Sequence, residues 1–378
     1  MTLLRDERKG RIAIRFRACG LDLQVTSGSL GQERDAGTGA LNLVKATARI
    51  MQRACTRFQP APGVDFSATP KVQTFVKKDA FRALRHAVVA IVVDSAGDEM
   101  LASEMMRSDR LAASAVALTP NLLHVVRDKA HASRRLLSRP WAADPVLKEL
   151  CTRTIRGRAS IARMVQCSGE TRRLFMNFVK TSRMKMLHNT LRNFRAAGHR
   201  FESFQKPLGR TCIHLHNVIR TALHLANHRP HHEYGRNAKA WLQWITTERC
   251  VLLAMMADAS DECLALTRIM DNETVDPASV RRENQTWASK INALFVRGSC
   301  VSCFGCTSVM LRTLQHPLVW SIGATCNSVG SDQGVPHQII DDCLKRMRTW
   351  VELATATVLA EFPDFEIAQA PQTIWSAN

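Results

Sequence analysis

Hydrophobic and polar positions divide this chain into two stretches of different period. "RIAIRFRAC" alternates, with Ile12, Ile14, Phe16 and Ala18 on one side and Arg11, Arg15 and Arg17 on the other. That predicts a strand with one face on a core and one in water. "LDLQV" repeats the pattern at Leu21, Leu23 and Val25, after a turn at Gly20. "GSLGQERDAGTG" and "QPAPGVDFSATP" predict loops. Between them "ALNLVKATARIMQRACTRF" has helical spacing at Leu43, Ala46, Ile50 and Ala54. "AVVAIVV" is apolar throughout, which predicts a central strand covered on both faces. A helix over 97–115 and a short buried strand at "NLLHVV" follow. With a brief opening strand at "TLL", this is a small α/β unit.

Beyond Pro140 the period turns helical and stays so. "ETRRLFMNFVKTSRMKMLHNTLRNF" combines apolar residues at helical spacing with a basic outer face. Pro207 suits the first position of a helix over "LGRTCIHLHNVIRTALHLA". Asp276 and Pro277 mark another start, and a last helix runs near "IIDDCLKRMRTWVELATATVLAEF". The expected organisation is an α/β domain over 1–139 and a helical domain over 140–378.

Charge sharpens this picture. Lys and Arg number 52 against 33 Asp and Glu, a formal net charge of +19. Residues 127–220 hold 21 basic and 5 acidic residues, whereas 241–378 hold 10 basic and 15 acidic ones. A localised basic face predicts a polyanion partner, nucleic acid first. Phosphate contacts are expected from Arg127, Lys129, Arg134, Arg135, Arg156, Arg158, Arg163, Arg172 and Arg173; such contacts give affinity without reading sequence. No run of 18 apolar residues predicts a membrane span. The N-terminus lacks the apolar core of a secretory signal. Twelve cysteines without that route imply reduced thiols, in the nucleus or cytoplasm.

Two acids end apolar runs: Asp6 after "TLL" and Asp94 in "AIVVDSAGDEM". Spacing alone favours a plain reading, in which each Asp caps the turn after its strand. If the first and fourth strands are neighbours, however, the two carboxylates meet at one edge and offer hard oxygen ligands for Mg²⁺ or Mn²⁺. "CVSCFGC" sets Cys300, Cys303 and Cys306 at three-residue steps, with Cys326 or His316 as conceivable fourth ligands. The distant second pair of a zinc site is absent, so zinc is disfavoured. His224 and His228, one turn apart near His214, His216, His231 and His232, fit a protonatable basic surface better than a metal site. "GTGALN" lacks the remainder of a phosphate loop, and no Gly-x-Ser-x-Gly elbow occurs.

The order of these stretches resembles the hAT superfamily of DNA transposases. "LLRDERKGRIAIRFRAC" is similar to its opening strands with the first catalytic Asp. "AIVVDSAGDEM" resembles the segment that carries the second. "RDKAHASRRL" resembles its Cys/Asp-x-x-His motif, through Asp128 and His131. "GHRFESFQKPLGR" resembles its "TRWNS" motif through Arg200, Phe201 and Ser203, with Arg210 following. The resemblance spans roughly residues 3–370. It implies an RNase H-like core with a mixed sheet, interrupted by a long helical insertion. It further implies Asp6 and Asp94 as catalytic metal ligands. DNA contacts would come from Arg127, Asp128, Lys129, His131, Arg134, Arg135, Arg200, Phe201, Ser203 and Arg210. Self-association into a homo-oligomer is left open. Phe201 stands where the family has Trp, and no zinc-finger DNA reader precedes the first strand. The family's third acid, a Glu beyond the insertion, is expected to be missing, since Glu361 and Glu366 fall at the insertion's end. The expected function is transposase-derived DNA binding, ancestrally with Mg²⁺-dependent strand cleavage and transfer. The alternatives are an inactive DNA-binding or assembly protein and a helical protein–protein scaffold.

Overall fold

In the computed structural model of the chain, the residues described are 1–8, 11–20, 22, 24–34, 37–60, 72–94, 97–108, 117–181, 202–272 and 279–362. The alternation of "RIAIRFRAC" forms the strand it predicts. The chain runs through Thr2–Arg8 (β1), Arg11–Cys19 (β2), Val25–Glu33 (β3) and Ala40–Ala54 (α1). Thr56–Pro60 (β4), Val72–Val76 (β5), Lys78–Ala87 (α2), Ala90–Val93 (β6), Gly97–Arg107 (α3) and His124–Arg127 (β7) follow. Five strands form one mixed sheet in the order β3-β2-β1-β6-β7. β1, β2 and β3 pair antiparallel, while β6 lies parallel to β1 and β7 parallel to β6. β4 and β5 form a separate hairpin. The chain divides into two compact units, Met1–Ala132 and Ser133–Asn378.

In the first unit one sheet face is apolar. Leu3, Ile12, Ile14, Ile91 and Val93 are buried together with Leu43, Ala46, Ile50 and Met51 of α1 and with Ala102 and Met106 of α3. Side chains alternate across a strand, so Arg5 falls on this same face. It is buried and answered there by Glu99 of α3, whose carboxylate lies 2.6 Å away. Arg5 also donates to the Glu99 carbonyl at 3.0 Å and to Ser103 Oγ at 3.2 Å. Burial draws the Arg5 pKa down, against the opposing charge and hydrogen bond of Glu99. Glu99 is the second of the two acids that follow Asp94 in "SAGDEM".

The third strand departs from expectation. It covers "VTSGSLGQE", sharing only Val25 with "LDLQV" and running from Gly28 into the stretch read as a loop, while Leu21 and Leu23 lie outside the described residues. β3 lies at the end of the sheet order, so its pairing with β2 rests on backbone hydrogen bonds, not on an apolar face. Gly28 is needed there, because a Cβ would come within 2.9 Å of the Phe16 ring. α1 stops at Ala54, so residues 56–58, expected at the end of its helix, open β4 instead; β5 and α2 were given no element from sequence, and α3 stops at Arg107, short of residue 115.

The second unit is helical. Lys129–Ala143 (α4) enters it, followed by Pro145–Cys151 (α5), Ile161–Cys167 (α6), Gly169–Thr181 (α7), Glu202–Ile213 (α8), Leu215–His228 (α9) and Glu233–Trp244 (α10). Thr247–Asp271 (α11), Ser279–Ile291 (α12), Cys306–Thr313 (α13) and His337–Glu361 (α14) complete it. A hairpin of Leu318–Ile322 (β8) and Thr325–Val329 (β9), not anticipated from sequence, is inserted before α14. α11 is buried on every side from Cys250 to Ser260, as a helix at the centre of a bundle must be. Asp144 caps α5, accepting from the Val146 and Leu147 amides at 2.8 and 3.0 Å. Arg346 of α14 grips the same carboxylate at 2.7 and 3.0 Å. Pro207 does not open its helix but lies inside α8, and the stretch expected as one helix breaks at His214 into α8 and α9. Asp276 and Pro277 lie outside the described residues.

Candidate functional site

The expected adjacency of the first and fourth strands is present. β1 and β6 pair in the register Thr2↔Ala90, Leu3↔Ile91, Leu4↔Val92. Carrying that register two residues further sets Asp6 opposite Asp94. Both then follow Leu4 and Val92 in alternation, on the face away from α1 and α3. Neighbouring strands lie about 4.8 Å apart, so acids at one level can reach a shared cation. Asp6 is exposed and the Asp94 side chain 38% exposed, which leaves them open to solvent.

The Asp-x-x-His spacing has a local physical cause. Asp128 precedes α4 and accepts from the Ala130 and His131 amides at 2.8 and 3.2 Å, as an N-cap does. The third residue after a cap points back toward it, and His131 Nδ1 stands 3.2 Å from Asp128 Oδ2. The other ring nitrogen, Nε2, lies 3.7 Å from Asp94 Oδ2. His131 therefore stands between two carboxylates. Burial resists ionisation of Asp128, but hydrogen bonds and charge from His131 and the Ala130 amide outweigh it and hold the carboxyl below its usual pKa. Among the described residues, no third donor joins Asp6 and Asp94 within the spacing of a metal-ligating group.

Other expected contacts fare differently. Arg127 and Lys129 flank Asp128 and are half-buried, as is Arg134. Arg135 is turned to an internal partner, Glu361, at 3.1 Å. Arg210 does not fit a phosphate contact: it is 7% exposed within α8, and burial lowers its pKa. Arg200, Phe201 and Glu366 lie outside the described residues, as does the side chain of Ser203. The basic face is better carried by α6, α7 and the turn before them, where Arg158, Arg163, Arg172, Arg173 and Lys180 are all exposed. On α9, His224 and His228 stack at 4.0 Å between ring centroids and Arg220 lies 4.5 Å from the Phe178 ring. Burial and the charges of His228 and Arg229 depress the His224 pKa, with Glu170 opposing.

A second group was not read from the sequence. Asp258 and Asp261 on α11 and Cys306 at the start of α13 present ligand atoms within 4.8 Å of one another. Asp258 caps α13 from outside, accepting from the Cys306 amide at 2.7 Å, the Thr307 amide at 3.0 Å and Thr307 Oγ1 at 2.6 Å. Gly305 permits this approach, since a Cβ there would lie 2.8 Å from Asp258 Oδ1. Burial raises the Asp258 pKa, against the hydrogen bonds from Thr307 and Cys306. The Cys306 thiol hydrogen-bonds the buried Cys212 of α8, whose pKa that bond and burial push well up. The three-residue cysteine steps do not form a cluster: Cys300 is buried, Cys303 exposed, and Cys326 and His316 are exposed. The signal that could have exposed this group was Asp258 itself, a lone acid inside the apolar run "VLLAMMADAS".

No protein-family model, curated protein or solved structure matches the chain.

Proposed function

We propose that the chain is a transposase-derived DNA-binding protein of the hAT type, built on an RNase H-like core with a helical insertion. One observation carries the reading: the mixed sheet in the order β3-β2-β1-β6-β7 has its fourth strand parallel beside its first, in a register that, carried two residues beyond the pair Leu4↔Val92, would set Asp6 level with Asp94. That is the arrangement such a core requires of its first two acids. Asp128 and His131 add a capped helix start against Asp94. Two carboxylates suit Mg²⁺ or Mn²⁺. The ion would supply a polarised phosphate and an activated water. With two acids and no converging third donor among the described residues, binding is weak, and DNA contact by the exposed arginines is the dominant activity.

Two measurements test this. Duplex and hairpin DNA are incubated with the chain and Mn²⁺ or Mg²⁺. Any cleavage is expected to disappear in Asp94→Asn while DNA affinity rises slightly, because one repelling charge is removed. Cleavage that survives Asp94→Asn would remove the two acids from the reaction.

DNA affinity is also expected to fall steeply with salt. Replacing Arg158, Arg163, Arg172 and Arg173 by Gln should reduce the slope of log K against log[salt] by up to about 0.9 for each phosphate no longer neutralised. A flat slope for the unaltered chain would leave a protein–protein scaffold instead.

A further inference from the structure

The pairing of α8, α11 and α13 brings together donors that the DNA-binding reading does not use. α11 packs against both α8 and α13, and α13 against α8. At their meeting point stand Asp258, Asp261, Cys306 and, behind Cys306, Cys212. We propose that Cys306, Asp258 and Asp261, backed by Cys212, bind a divalent transition-metal ion of the zinc class.

Three observations support this. The first is spacing. Donors around a tetrahedral zinc ion at about 2.0–2.3 Å stand roughly 3.3–3.8 Å apart, and three donor atoms here lie within 4.8 Å of one another. The second is charge. Asp258 is 7% exposed, and among the described residues no basic side chain forms an ion pair with it. A buried carboxylate without a countercharge is costly; Thr307 and the amide and thiol of Cys306 hydrogen-bond it, and a cation in place of the thiol proton would supply the missing charge. The third is access. Asp261 is exposed and Cys306 half-buried, so an ion enters from solvent, while Cys212 is enclosed.

The donor types select the metal. A thiol beside carboxylates suits zinc, cobalt or cadmium over Mg²⁺, which wants oxygen alone. Cys306 loses its proton to solvent on binding, so affinity rises with pH. The ion would tie the cap of α13 to α11, and so contribute to the stability of the helical unit. This site is separate from Asp6 and Asp94, and its failure would leave the DNA reading untouched.

The test uses the full chain, reduced, stripped with a chelator and titrated with Co²⁺. A thiolate-to-cobalt charge-transfer band saturating at one equivalent is expected, displaced by Zn²⁺ and not by Mg²⁺. Cys306→Ser and Asp261→Asn should each weaken Co²⁺ binding by at least about 100-fold, since loss of outer partners alone costs about 10–100-fold. Cys303→Ser, an exposed thiol three residues away, should change nothing. Circular dichroism and thermal unfolding of metal-free Asp261→Asn are measured alongside, and a loss of Co²⁺ binding counts for the proposal where the metal-free variant keeps the fold of the unaltered chain. Absence of the band, or equal effects of Cys303→Ser and Cys306→Ser, would overturn the proposal.

Discussion

Glu99→Ala is expected to destabilise the first unit by about 3–5 kcal/mol, the cost of leaving a buried charge without its partner. The Arg5 side chain is fully buried and that of Glu99 nearly so. Removing the carboxylate leaves a guanidinium facing Thr47, Ser103 and the Met106 sulfur, none of which carries charge. Urea unfolding followed by circular dichroism would measure the change. Glu99→Gln should cost less, since the amide oxygen still accepts from Arg5. The double replacement Arg5→Met with Glu99→Leu should recover most of the stability, because a buried pair is often no more stabilising than apolar groups of its size. If Glu99→Ala alone is neutral, the pair is not desolvated as described. The effect reaches the site through the alternation of β1. Arg5 anchored on the α1–α3 face fixes Asp6 on the other, so if the proposed function holds, any metal affinity at Asp6 and Asp94 should fall in Glu99→Ala even where the fold survives.

This pair also shows what the sequence made legible and what it did not. β2 was readable because Ile12, Ile14 and Phe16 alternate with arginines; β6 was readable as a strand from its unbroken apolar run, but only Ile91 and Val93 are buried, not both faces as expected. The adjacency of β1 and β6 entered only as a condition for the two acids to meet, and the sheet order meets that condition. Arg5 was invisible as a core residue, since its partner lies 94 residues away and one-dimensional patterns place an arginine in water. β3 was misplaced for the opposite reason. An end strand needs only backbone partners, so "VTSGSLGQE" carries no alternation and shares only Val25 with "LDLQV". The helical unit was legible as a class, but its hairpin and the break at His214 were not. The group of Asp258, Asp261 and Cys306 escaped because its residues come from helices far apart in sequence. The cysteine spacing that drew attention at 300–306 concerns the wrong partners: only Cys306 meets the acids.

Glu361→Ala is expected to destabilise the helical unit by about 2–4 kcal/mol, below the full cost of a buried pair because Arg139 is 55% exposed and solvent screens it. Glu361 ends α14, where a negative charge opposes the helix dipole. It is nevertheless 1% exposed. Arg135 at 3.1 Å and Arg139 close beside it, both on α4, supply the compensation. Two arginines committed to one carboxylate describe a clasp between the first and last helices of this unit, not a carboxylate held ready for a metal ion. Thermal unfolding of Glu361→Ala, Glu361→Gln and Arg135→Met separates these roles. A structural clasp predicts that all three lower the melting temperature, with Glu361→Ala the largest, while metal and DNA affinity measured well below that temperature stay unchanged. A third catalytic acid predicts the reverse: little change in melting and a loss of metal-dependent cleavage in Glu361→Gln alone. The geometry favours the clasp, because ion pairing uses both carboxylate oxygens of Glu361 and leaves the side chain almost no surface through which an ion could reach it.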